Sequence, residues 1–237
     1  MEIKIYTDGA SRGNPGPAGW GAVLFMDKRV VELGGRTDLG TNNQMELSAP
    51  TEALKYLEEN NIKEAIKIIT DSQYTLSGIT SWVHGWKKNG WVKKDGEHVS
   101  NREYWEELDR LQTLLNPAWE KVKGHAGDIY NERADQIATG FATKKDMDLF
   151  VGTSREYELF VRSKVDMDAI KKSAKQSSAN KNRPGGYYLS LVDGELQKHA
   201  TWPECEARVK GVKWCKFKKV FTDEEEEEMK KQWGYKE

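Results

Sequence analysis

Ile3-Lys4-Ile5-Tyr6-Thr7-Asp8-Gly9-Ala10-Ser11 begins with alternating apolar residues and runs directly into a carboxylate, and Ile66-Lys67-Ile68-Ile69-Thr70-Asp71-Ser72-Gln73 repeats that design further along the chain. Period-two alternation, or a short apolar cluster rich in β-branched residues, is how half-buried and buried strands read. A carboxylate at the end of such a strand is easily aimed into a shared cleft. Two further acids sit in equally dense surroundings: Glu46 in Thr41-Asn42-Asn43-Gln44-Met45-Glu46, and Asp135 in Asn131-Glu132-Arg133-Ala134-Asp135.

Working outward, Trp20 to Phe25 and Val30 to Gly34 read as strands separated by the turn residues Asp27, Lys28 and Arg29, which with the first strand predicts an antiparallel meander. Asn43 to Leu57 has apolar residues close to helical spacing, with Pro50 expected to bend it, and places Glu46 in an early turn. Ala65 to Ile69 is a fourth strand and Asp71 to Ile79 a short helix. Asn101 to Leu115 is a clearer helix, opened by the Ser-x-x-Glu spacing of a capping box at Ser100 and Glu103. A strand at Trp119 to Val122 and a helix from about Asn131 to Thr143 complete the expected α/β unit, a five-stranded mixed sheet flanked by helices.

Composition shifts after Phe150, and residues 171–186 are polar, basic and free of large apolar side chains, as linkers are. The expected organisation is a main domain over 1–145, a linker over 146–186 and a small α+β module over 187–237. A module of that size has little core of its own.

The chain has 237 residues, a formal net charge of −1 and a pI of about 6.5, so any polyanion must be met by local basic patches. No apolar stretch approaches the roughly 20 residues needed to cross a bilayer, and the first strand starts at Glu2, which leads us to expect a cytoplasmic protein with no membrane partner. Cys205 and Cys215 lie far from any histidine cluster and read as reduced, small apolar residues, with a disulfide between them the alternative.

Carboxylates drawn from several elements, without Cys or His, suit a hard cation such as Mg²⁺ or Mn²⁺ better than zinc. Two such ions about 4 Å apart activate a water on one side of a phosphorus and stabilise the leaving oxygen on the other, which makes phosphodiester hydrolysis the expected reaction class.

Thr7 to Gly21, Thr41 to Leu47, Thr70-Asp71-Ser72-Gln73-Tyr74, Gly85-Trp86-Lys87-Lys88-Asn89-Gly90-Trp91 and Val122-Lys123-Gly124-His125-Ala126-Gly127 together resemble type 1 ribonuclease H, in that family's order and spacing. The resemblance covers residues 1 to about 143 and implies a ribonuclease H-like fold. It also implies hydrolysis of the RNA strand of RNA/DNA hybrids with two Mg²⁺ ions, leaving 5′-phosphate and 3′-hydroxyl ends. By motif, Asp8 would bridge both ions, Glu46 and Asp71 would hold one, and Asp135 the other. His125, in a Gly-rich loop, would assist proton transfer or product release.

Asn14, Asn42 and Gln73, with the backbone from Gly9 onward, match positions that contact the RNA minor groove; amides donate and accept, and so read a 2′-hydroxyl in either sense. Trp82, Trp86 and Trp91 interleave with Lys87, Lys88, Lys93 and Lys94, matching the family's basic protrusion on the DNA strand. Thr41 matches a DNA phosphate pocket, while Leu39 stands where several relatives carry a basic residue.

Thr201-Trp202-Pro203-Glu204-Cys205 and Lys216-Phe217-Lys218-Lys219-Val220-Phe221 are similar to the hybrid-binding, viroplasmin-like domain, which usually precedes the catalytic domain and here follows it. By residue match, Trp202, Phe217, Lys218 and Lys219 would contact nucleic acid. The first hairpin departs from the family: it carries acidic Asp193-Gly194-Glu195 instead of a basic stretch, which keeps attachment to a protein partner, or self-association, as the alternative. For the whole chain the competing readings are a catalytically silent hybrid-binding or scaffolding protein and a related nuclease acting on another duplex.

Overall fold

The computed structural model describes residues 2–93, 95–122, 128–166, 185–212 and 214–235. These fall into two units, one within 2–166 and the other within 185–235. In the first unit, β1 (Glu2–Ser11), β2 (Gly16–Met26) and β3 (Arg29–Gly40) form the expected meander and lead into α1 (Asn42–Glu59). Then come β4 (Ala65–Thr70), α2 (Gln73–Ser77), a π-helical turn over Gly78–Trp82, α3 (Val83–Lys88), α4 (Arg102–Leu115), β5 (Ala118–Lys121) and α5 (Ile129–Ala142). Finally β6 (Val151–Thr153) and α6 (Ser154–Lys164) follow.

The mixed sheet runs β5-β4-β1-β2-β3-β6, with β1, β4 and β5 parallel and the rest antiparallel. It has six strands where five were expected, because Val151-Gly152-Thr153 pairs with the free edge of β3 at Val31, Val30 and Arg29. The segment from residue 146 is therefore not all linker: α6 opens on a capping box between Thr153 and Glu156 and buries Tyr157 and Val161 against the rest of the first unit. Alternation along β1 explains the layering. Ile3 and Ile5 face α1 and α4 with Leu47, Leu54, Trp105 and Leu108, whereas Tyr6 faces α5 and α6 with Ile137 and Tyr157. Truncating a fully buried side chain such as Leu54 to Ala would cost about 2–5 kcal/mol.

The capping box expected at Ser100 is not formed. Asn101 takes the N-cap position in the left-handed region (φ 59°) and spends its amide on the Tyr74 hydroxyl, 3.2 Å away, which also accepts from Trp105 Nε1.

In the second unit β7 (Tyr187–Val192), β8 (Glu195–His199), α7 (Trp202–Val209), β9 (Lys216–Val220) and α8 (Asp223–Trp233) make an antiparallel sheet of order β8-β7-β9 with two helices. The tight turn between β7 and β8 has positive φ at both Asp193 and Gly194, the hairpin geometry that Asp-Gly favours. Its acidic character is thus partly a turn requirement. The buried apolar residues here are few, namely Leu189, Cys205, Val209 and Val220.

Candidate active site

β1 and β4 run parallel with Thr7 opposite Thr70, so Asp8 and Asp71 each stand one residue past the last shared pair, at the same end of the sheet. Glu46 reaches them because α1 lies unusually close to β1. A Cβ built on Gly9 would come within 2.4 Å of the Glu46 backbone nitrogen and 2.6 Å of the Met45 carbonyl carbon, so only glycine permits the approach. Gly21 does the same for α5, since a Cβ there would meet the Ala134 carbonyl oxygen at 2.5 Å, next to Asp135.

Pro50 has a local consequence beyond the bend expected of it. Lacking an N–H, it gives no hydrogen bond to the carbonyl four residues back, that of Glu46. The buried Thr75 hydroxyl donates to that carbonyl at 3.2 Å, tying the helix that carries Glu46 to the one that follows Asp71.

Carboxylate oxygens of Asp8, Glu46 and Asp71 all lie within 4.8 Å of one another. Burial, reinforced by the charges of Glu46, Asp71 and Asp135, holds the Asp8 carboxyl well above the usual carboxylate range, although the Gly9 N–H donates to it at 2.7 Å. Burial and the Asp71 charge push Glu46 up to about 8, opposed by the Asn42 amide, which donates to Oε1 at 3.3 Å. Glu46 Oε2 is buried and makes no hydrogen bond of normal geometry, although the Ser72 hydroxyl lies near enough to the carboxylate to temper its shift. An orphaned carboxylate oxygen amid like charges is the environment a cation relieves, and the all-oxygen donor set fits a hard divalent ion. Asp135, half-buried on α5, stands outside the close trio while its charge acts on both Asp8 and Glu46. His125 lies outside the described residues.

Four of the expected substrate residues lie on or next to the elements that carry this trio. Gly9 is the floor under α1, and Asn14 Oδ1 accepts from the Asn42 N–H at 3.3 Å, joining the β1–β2 turn to the start of α1. Thr41 is the N-cap of α1 in a capping box with Gln44. Gln73 donates to Ser77 Oγ at 2.7 Å and accepts from Lys121 on β5. The sequence reading missed Lys121; its only signal is the register that sets it opposite Thr70, next to Asp71.

On the protrusion, Trp82 and Trp86 share a face as their spacing predicts, with ring centroids 5.7 Å apart, and the row continues inward through Trp86 to Trp105 at 5.6 Å. Trp82 is exposed and is the last residue of the π-helical turn. Lys87 is pinned to the largely buried Asp109 of α4 at 2.6 Å, whereas Lys88 is exposed. Leu39 is exposed as well.

In the second unit, rings of Tyr188, Trp202 and Phe217 follow one another at 5.5 and 5.4 Å, and the Lys219 ammonium lies 5.6 Å over Tyr188. Strand alternation puts Phe217 and Lys219 on one face of β9 and Lys218 on the other, so the expected quartet does not share a single face. Arg208 is partly spent within the fold, 3.6 Å from the Glu195 carboxylate and donating to its carbonyl at 3.2 Å.

A family model for RNase H matches residues 1–143. The ribonuclease H of Thermosynechococcus vestitus is 51% identical over 135 residues, covering 56% of this chain and 84% of that protein. That of Ehrlichia canis is 46% identical over 143 residues, covering 60% and 96%. Among solved structures, LC9-RNase H1, described as a type 1 RNase H with the type 2 active-site motif, superposes with a TM-score of 0.58 at 27% identity over 66% of this chain and 80% of that one. No helix among the described residues is long and apolar enough to cross a membrane. With the match spanning more than half of the chain and both strand-end aspartates inside it, the chain belongs to the ribonuclease H family.

Proposed function

We propose that the protein hydrolyses the RNA strand of RNA/DNA hybrids at a centre of two divalent ions, Mg²⁺ or Mn²⁺, leaving 5′-phosphate and 3′-hydroxyl ends. The observation that carries this reading is the convergence of Asp8, Glu46 and Asp71, with a buried Glu46 oxygen that makes no hydrogen bond of normal geometry. Bound there, the ions would supply an activated water and charge stabilisation at the leaving oxygen. Asp8 would bridge them, with Glu46 and Asp71 holding one and Asp135 the other; His125 would assist proton transfer or product release.

The side-chain amides of Asn42 and of Asn14, which accepts from the Asn42 backbone N–H, the latched carboxamide of Gln73 and the Gly9 backbone would read 2′-hydroxyls on the RNA strand. Thr41, Trp82, Trp86, Lys87 and Lys88 would hold the DNA strand through phosphate and deoxyribose. The C-terminal module would bind hybrid through Trp202, Phe217 and Lys219 on its aromatic face, with Lys218 reaching phosphate from the other side of β9, and so lengthen residence on substrate. Attachment to a protein partner or to a second copy is the other reading of this module, favoured by the acidic turn at Asp193 and Glu195. A cytoplasmic setting completes the proposal.

The test is cleavage of a hybrid labelled on its RNA strand, with Mg²⁺ or with EDTA, by the intact chain and Asp8→Asn. Metal-dependent cutting to 3′-hydroxyl products, lost in the variant, supports the reading. Tight hybrid binding without cutting would establish a silent binding protein instead.

A further inference from the structure

Glu32 of β3 and Arg133 of α5 form an ion pair with side chains only 0% and 3% exposed. Arg133 Nε and Nη2 donate to the two Glu32 oxygens, each at 2.8 Å. The same carboxylate accepts the Tyr157 hydroxyl of α6 at 2.8 Å and the Phe150 N–H at 3.0 Å, while Arg133 Nη2 also donates to the Asp148 carbonyl at 2.8 Å. One buried carboxylate thus ties together a strand, a helix and the segment that follows the residues matched by the family model. Further links join α6 to the same side of α5. The Tyr130 hydroxyl donates to Glu158, Gln136 Nε2 donates to the Lys164 carbonyl at 3.1 Å, and the Arg133 guanidinium lies 5.2 Å from the Phe160 ring centroid.

At about 100° per residue, Arg133 and Asp135 point to opposite flanks of α5. Between them, Ala134 and Ile137 press on Gly21, making a line of contact about which the helix could roll. Rolling by about 10° would carry a carboxylate about 6 Å from the helix axis through about 1 Å. A displacement of that size matters to a metal ligand, because ion binding depends on where each oxygen is held. A buried ion pair adds little net stability over apolar packing, while its bidentate geometry fixes orientation well.

We propose that β6 and α6 form a positioning brace, in which Tyr157, acting through Glu32 and Arg133, sets the roll of α5 and so the place of Asp135 in the metal centre. This rests on the metal reading given above. Tyr157→Phe and Glu32→Gln in the full chain remove one or more bonds of the brace without touching Asp8, Glu46, Asp71 or Asp135. Val161→Ala, buried in the same helix with an apolar side chain, is the control for lost stability alone.

Each variant is compared by urea unfolding, by calorimetric Mn²⁺ binding without nucleic acid, and by kcat and KM on hybrid across a Mg²⁺ titration. The expected result for both brace variants is Mn²⁺ binding weakened about 3- to 10-fold, somewhat less than for a group bonded directly to a ligand. Their kcat would fall at limiting Mg²⁺ and recover at excess, with KM for hybrid unchanged, and Val161→Ala would bind Mn²⁺ like the intact chain. Unchanged Mn²⁺ binding in the brace variants, or an equal loss in Val161→Ala, would overturn the brace while leaving the metal site intact. No Mn²⁺ binding by the intact chain would overturn the metal reading and the brace with it.

Discussion

Replacing Glu46 by glutamine is expected to stabilise the metal-free protein at alkaline pH even as it destroys the site. The Glu46 carboxyl has an ordinary value of 4.5 and is pushed up to about 8 in the fold, chiefly by burial and then by Asp71. Between those values the folded chain keeps a proton that the unfolded chain has lost, so stability falls as pH rises through that window and levels off above it. The whole gap corresponds to at most about 5 kcal/mol. Asp8 is pushed up as well and the two carboxylates titrate together, so only part of that gap, about 2–3 kcal/mol, is assigned to Glu46. Glutamine carries no charge and keeps nearly the same shape, and it would recover that amount, or roughly 5–10 °C in Tm. The assay is urea unfolding in EDTA at about pH 5 and about pH 8.5, for the intact chain and Glu46→Gln. Because only their difference is read, titrating groups outside the cluster cancel. Mg²⁺ added at the higher pH should stabilise the intact chain and leave the variant unmoved. A variant less stable than the intact chain at the higher pH, or a difference that does not change with pH, would refute the electrostatic account of the cluster.

Gly9→Ala should force α1 away from β1, costing about 1–3 kcal/mol in urea unfolding and abolishing cleavage, since the new Cβ would fall 2.4 Å from the Glu46 nitrogen; a fully active variant would contradict the role given to that approach. Lys121→Met should release the Gln73 carboxamide and raise KM for hybrid several-fold with kcat unchanged, an outcome read from steady-state kinetics; a change confined to kcat would place Lys121 in the chemistry instead. Phe217→Ala combined with Lys219→Ala should weaken hybrid binding by the full chain and flatten its salt dependence by about one phosphate contact; unaltered affinity in a salt titration would favour the protein-attachment reading of the module.

The sequence discloses the centre of this structure better than its edges. Asp8 and Asp71 follow apolar runs whose alternation fixes both strand and facing, and strand ends translate directly into a shared rim. Glu46 was placed in an early helical turn, but what brings it to Asp8 is the missing Cβ of Gly9, and a glycine's close approach cannot be told from an ordinary turn without the partner helix. Val151-Gly152-Thr153 escaped notice because three residues carry no usable period; it becomes a strand only because β3 leaves an unpaired edge there. The same holds for Tyr157, whose value lies in a carboxylate far earlier in the chain. Asn101 was misjudged for a different reason: a Ser-x-x-Glu pattern competes with tertiary partners, and the Tyr74 hydroxyl won. Lys87 is expected in sequence only as part of the basic protrusion, and the fold alone shows Asp109 beside it. In the second unit, adjacent Lys218 and Lys219 look equivalent in sequence, yet strand alternation separates them.

The most direct test of the central claim is strand discrimination. RNA/DNA hybrid, duplex RNA and duplex DNA of one sequence, each labelled differently on the two strands, would be incubated with the intact chain and Mg²⁺. The account predicts cutting of the hybrid's RNA strand alone, because in the proposed reading the amides at Asn14, Asn42 and Gln73 would require 2′-hydroxyls on one side and the tryptophan and lysine protrusion would favour deoxyribose on the other. Cutting of duplex RNA at a comparable rate, or of any DNA strand, would contradict it.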